Sequence, residues 1–148
     1  MTALVPNIAK GKLAYYAGLP AANDALVWVL MSGTETDDNI RDADNLSAII
    51  ALAVDEATFT GYALVTASGV TVTVDDTNNR VDIDAADPSW SPTSAQALTR
   101  IVLCYDPDTT TGTDADIVPL FVDDAALTTA SGVALTYNVA AAGFARIS

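Results

Sequence analysis

Alternation of apolar and polar residues is clearest over residues 70–84, VTVTVDDTNNRVDID, where Val70, Val72 and Val74 interleave with Thr71 and Thr73. Val81 and Ile83 alternate in the same way with Asp82 and Asp84. Successive side chains of a strand point to opposite faces, so the valines share one face and the Thr and Asp residues the other. Between the two runs, Asp76, Thr77, Asn78 and Asn79 tolerate turn and left-handed geometry. The pattern predicts a β-hairpin with one buried face. Two further runs, ALVWVLM at 25–31 and IVLCY at 101–105, are apolar throughout and are expected as central strands covered on both faces. Strands are also expected at 59–67, 117–122, 133–139 and 144–147, with one more at 12–17. Pro119 cannot donate to a ladder, which places its strand at an edge or at a bulge.

The helical period occurs over residues 42–54, DADNLSAIIALAV, where Leu46, Ile49, Ile50 and Ala53 fall on one stripe. Asp42 or Asp44 is expected to cap its first turn. Residues 87–99 and 106–116 are rich in Pro, Ser, Thr, Asp and Gly and are expected as loops. Many short strands and one short helix leave too few crossovers for a parallel sheet. The expected class is all-β, a β-sandwich or jelly-roll-like fold with an extended N-terminal arm. Its divisions are an arm at 1–23 and a β-sandwich domain at 24–148. Deleting the first fourteen residues is expected to leave that domain folded.

Charge sharpens this division. The 148 residues carry a net charge of −13, yet Lys10 and Lys12 precede the first acidic residue, Asp24. A basic arm on an acidic body suits contact with a neighbour's acidic face, or equally a return onto its own domain. Such a charge repels phosphate backbones and anionic membrane surfaces, so neither nucleic acid nor membrane is an expected partner. The composition is 51% hydrophobic and only 17% charged, which suits sheets surfaced with Thr, Ser, Asn and Asp rather than a disordered chain. No leader and no spanning run is read from the sequence, and assembly in the cytoplasm of a host cell is expected.

The chain has no histidine, which removes Ser-His-Asp and Cys-His activation and the usual zinc sites. Its single cysteine, Cys104, falls in a core run and is expected to be an inert buried thiol. Carboxylates remain, but Asp82 and Asp84 are expected to face outward beside a turn rather than across a cleft. Asp75, Asp76, Asn78 and Asn79 crowd one turn in a way that suits calcium, without the EF-hand spacing, and an ordinary turn explains them as well. The same holds for Asp114, Asp116, Asp123 and Asp124. No phosphate-binding glycine motif occurs. No catalytic residue, cofactor or metal is therefore assigned, and the protein is expected not to be an enzyme. Tyr15 and Tyr16, on opposite faces of the expected strand, join Lys10 and Lys12 as candidate partner-binding residues. Trp28 is expected in the core and Trp90 as a loop anchor. An exposed Trp90 would favour a carbohydrate-binding module.

Several stretches, in order, carry a resemblance: NIAKGKLAYYAGLPAANDALVWVLM at 7–31, ATFTGYAL at 57–64, VTVTVDDTNNRVDIDAADPSW at 70–90 and IVLCYDPD at 101–108. Together they resemble small structural proteins of tailed bacteriophages, the most specific part being the VTVDDTNxR hairpin. The resemblance implies a virion component with no catalytic residues. A capsid decoration or cement protein is the expected role, with the major capsid protein and other copies of itself as partners, as a homotrimer on the capsid exterior. A tail, neck or head-fibre component is the alternative.

Overall fold

A computed structural model describes residues 3–52, 55–141 and 143–147. The strands are β1 (Ala25–Met31), β2 (Val65–Thr66), β3 (Thr71–Asp75), β4 (Arg80–Asp84), β5 (Ser89–Trp90), β6 (Ala97–Asp106), β7 (Val118–Thr128), β8 (Leu135–Thr136) and β9 (Ala145–Ile147). Among the described residues three short α-helices accompany them, α1 (Leu13–Ala17), α2 (Asp37–Arg41) and α3 (Leu46–Ile50), with a 3-10 turn at Asn7–Ala9. The chain is mostly β, in three antiparallel sheets ordered β2-β1-β6-β7, β3-β4-β9 and β5-β8.

β1 and β6 lie at the centre of the largest sheet, as their continuous apolar runs predict, and every residue of β1 is buried. Alternation divides them between two cores. Leu26, Trp28 and Leu30 pack with Ile101, Leu103 and Tyr105 on one side, while Val27, Val29 and Met31 join Val102 and Cys104 on the other. The second core is closed by Ile40 of α2 and by Leu46 and Ile49 of α3. The first is closed by Ile83, Trp90, Phe144 and the N-terminal residues Ala9, Leu13 and Ala17. β7 forms the sheet's edge, and its ladder with β6 shifts register next to Pro119, where the missing N–H does least harm.

Four sequence expectations are corrected. The strand expected at 12–17 is instead helix α1, because Leu13 and Ala17, four residues apart, both turn to the core. Tyr15 and Tyr16 consequently do not lie on opposite strand faces. The helix expected over 42–54 shrinks to α3, and α2, which the sequence reading did not expect, precedes it. Thr36 Oγ1 accepts from Asn39 N at 3.4 Å and Asn45 Oδ1 from Ala48 N at 2.8 Å, so each helix has its own N-cap. Asp42 ends α2 instead of beginning a helix, and residues 53 and 54 lie outside the described residues.

The third correction is that strands at 59–67 and 133–139 shrink to β2 and β8, while β5 arises within the expected 87–99 loop to pair with β8. The last concerns the extended arm. Leu4 bridges the edge of β7, donating to Val122 O at 2.8 Å and accepting from Val122 N at 2.9 Å. Together with buried Ala9, Leu13 and Ala17, this returns the first segment onto its own domain.

Candidate functional site

The small β3-β4-β9 sheet projects past the core that covers its inner end. Residues paired across strands share a face, so Val72, Val74, Val81, Ile83, Ala145 and Ile147 form one apolar face. Ile83 is fully buried, with Val70, Val81 and Ala145 packed against the same core. Toward the turn the cover ends: Val72 is 38% exposed, Ile147 40% and Val74 67%. The hairpin therefore forms as the alternation predicts, but the face expected to be buried is only half buried. Period two determines which residues share a face, whereas the extent of the neighbouring core decides how much of that face is covered.

The opposite face is held by charges. Arg80 Nε lies 2.9 Å from Asp82 and 3.2 Å from Asp75, and Arg146 Nε donates to Asp82 at 2.6 Å. Hydrogen bonding from Arg146 holds the Asp82 carboxyl below its ordinary range, and the nearby Arg80 adds to this. Asp75 is lowered chiefly by the Asn78 side chain, at 2.7 Å, and backbone N–H, at 3.1 Å. The Asp/Asn turn thus uses its own oxygens, with Asn79 in the left-handed region at φ 52°. Asp82 lies on the outward face as expected, its carboxylate held between two guanidiniums.

Because both carboxyls have depressed values, their contribution is complete above the ordinary carboxyl pKa of 3.8 and is lost as pH falls through the lowered values. We expect backbone amide shifts of residues 71–84 to hold steady down to about pH 4 and to move below it. Movement at pH 5 or above, followed by NMR, would contradict this assignment.

The N-terminal segment borders the apolar face. Val5, Lys10, Gly11, Leu13 and Ala14 line one depression with Arg146 and Ile147. Lys10 and Lys12 are exposed, Lys10 Nζ donating to Asn7 Oδ1 at 2.7 Å. Tyr15 is 62% exposed, while Tyr16 turns inward onto Tyr105 with ring centroids 4.8 Å apart. The structure thus brings Lys10 to the margin of the face and leaves Lys12 and Tyr15 open, but makes Tyr16 largely a packing residue. Sequence reasoning missed Arg146 and Ile147, whose only signal was the short alternation Ala-Arg-Ile.

Other candidates resolve into packing. Trp90 is buried and its indole N–H donates to Ala63 O at 2.9 Å, so it offers no platform to a sugar. Cys104 is fully buried and burial drives its thiol pKa upward. Tyr105 is pushed up to about 12 by burial and by its hydrogen bond to Asp24. In the 106–116 loop, the hydroxyls of Thr110 and Thr111 hold the Asp108 carboxyl at about 2. Asp116 accepts from Thr113 there, and Asp123 accepts from the Tyr137 hydroxyl at 2.7 Å. Among the described residues no group of three or more His, Cys, Asp or Glu is placed to hold a metal, and no helix is long and apolar enough to cross a membrane.

One buried charge had no sequence signal. Arg100 is 2% exposed in β6, with Nε 3.3 Å from Asp124 and a terminal nitrogen donating to Glu35 O at 2.5 Å.

Comparison with known proteins gives no match: no family model, curated protein or solved structure is significantly similar to this chain.

Proposed function

We propose that the chain is a non-enzymatic virion structural protein, a capsid decoration or cement protein that attaches to the outside of a phage head. The observation that carries this reading is the uncovered apolar half of the β3-β4-β9 sheet on a strongly acidic chain. Contiguous apolar surface of this kind suits contact with protein. The resemblance of the hairpin and its flanking stretches to tailed-phage structural proteins supports the same reading. The three sheets then serve as a rigid β-sandwich or jelly-roll-like mount for contact surfaces. The major capsid protein and other copies of the chain are the proposed partners. Many weak contacts repeated over one shell make attachment durable.

Purified particles test this directly. The protein is expected in many copies spread over the head and, by cryo-electron microscopy, on its exterior. A few copies confined to the tail or neck would favour the tail reading, and absence from particles would end both. Lys10→Glu combined with Lys12→Glu is expected to weaken attachment by about three- to tenfold, the scale of two exposed ion pairs. It should also reduce the dependence of attachment on salt. Unchanged attachment in a binding assay would remove the two lysines from the contact.

A further inference from the structure

We infer that two copies of the chain join edge to edge through β3, antiparallel about a two-fold axis at Thr73, into one continuous six-stranded sheet. The inference rests on the proposed function in one respect, that the chain works by contact with protein copies.

β3 is the outer strand of its sheet, and no strand lies beyond it among the described residues. Its backbone groups are directed for pairing. The Ile83 carbonyl turns toward the β9 side, where it accepts from Phe144 N at 3.0 Å. Consecutive residues of a strand direct their backbone polar groups to opposite sides, so Arg80, Asp82 and Asp84 turn to β3. Their partners Asp75, Thr73 and Thr71 return those bonds. Val72 and Val74 therefore present N–H and C=O away from β4, on an open edge.

Other edges are short or blunted. β2 has two residues and β9 three. β7 carries Pro119, Asp123 and Asp124 and is bridged by Leu4. β3, Thr-Val-Thr-Val-Asp, has no proline, lysine or bulge, and its one charge, Asp75, is engaged by Asn78 and Arg80. An edge lacking such protection is a template for another strand.

A second copy is the occupant that the charges favour. Around this sheet Lys10, Arg80 and Arg146 nearly offset Asp75, Asp76, Asp82 and Asp84, so almost all of the charge of −13 is carried by the rest of the chain. Like molecules repel least when they meet through their least charged, apolar end. The register is also self-complementary. With the axis at Thr73, Val72 of each copy exchanges backbone hydrogen bonds with Val74 of the other, and both valine pairs fall on one face. Asp75 lies opposite Thr71 of the second copy, so no like charges are directly opposed.

Cysteine cross-linking in the full chain tests the register. The two Thr73 residues form a non-hydrogen-bonded pair with Cα atoms about 4.5 Å apart, within the disulfide range. The two Thr71 residues lie about 13 Å apart along the strands, beyond it. Under diamide, which takes up the two hydrogens of the thiols, Thr73→Cys is expected to give covalent dimers on non-reducing gels and Thr71→Cys monomers. Buried Cys104 does not compete. Sedimentation should show the unaltered chain as a dimer and Val74→Lys as a monomer with an unchanged circular dichroism spectrum. Equal cross-linking at both positions, a homotrimer, or a monomer at every concentration would overturn the inference. The two proposals fail separately: a dimer absent from particles sinks only the virion role, and a particle-bound monomer sinks only the dimer.

Discussion

A chain beginning at Gly18 is expected to lose most of its cooperative unfolding transition in urea. The missing segment contributes Leu4, Ala9, Leu13 and Ala17, all buried, along with the Tyr16 ring packed at a tilt against Tyr105. Burying one leucine is worth about 1.5–3 kcal/mol, so the two leucines alone contribute roughly 3–6 kcal/mol. A whole domain is commonly stable by only about 5–15 kcal/mol. Removal also unpairs Val122 on the edge of β7, whose N–H and C=O both bond to Leu4. This reverses the sequence expectation that the domain stays folded, losing only its attachment to capsids, when the first fourteen residues are deleted. A truncated chain with an unchanged urea midpoint would restore the detachable arm and remove Leu4 and Leu13 from the core.

The second large effect is expected at Trp28. Its ring is fully buried at the centre of the largest sheet, 5.7 Å from the Tyr137 ring and 6.1 Å from that of Phe144. Trp28→Ala opens a cavity among groups that β1 and β6 hold in place, and about 3–5 kcal/mol of stability should be lost. Trp28→Phe should cost distinctly less. It keeps an aromatic ring, and it removes an indole N–H for which the described residues offer no acceptor. Guanidinium melts of both variants give the comparison, and equal losses would show that ring packing does not set the stability at this position.

Several elements were legible because their signal is local. The unbroken apolar runs of β1 and β6 required cover on both faces, and the structure supplies one core on each side. The alternation over residues 70–84, interrupted by Asp and Asn, gave the hairpin and its turn. Pro119 marked an edge because its ring removes a donor from the ladder. Elements whose form depends on distant partners were not legible. Residues 12–17 read as a strand, and only packing of Leu13 and Ala17 against the core chose the helix. Asn45 delays the start of the expected helix because its side chain accepts from the backbone N–H of Ala48 and caps α3.

The candidate site divides along the same line. Lys10, Lys12 and Tyr15 were identifiable as exposed polar and aromatic positions near the start of the chain, whereas Ile147 and Arg146, which line a depression with Lys10, are brought there only through the pairing of β9 with β4. Buried Arg100 had no signal either, since its carboxylate partner Asp124 is brought beside it by the β6–β7 ladder.

By itself the sequence determined the predominance of strands, the two central ones, the hairpin with its turn, and which of the hairpin's residues share a face. These follow from side-chain period and backbone chemistry within a few residues. Only the tertiary structure decided that the first segment closes the core, that the expected helix shortens to α3 with α2 before it, and that half of the hairpin's apolar face stays uncovered. Burial depends on which surfaces the rest of the chain can bring alongside, and no local pattern encodes how far a neighbouring layer extends.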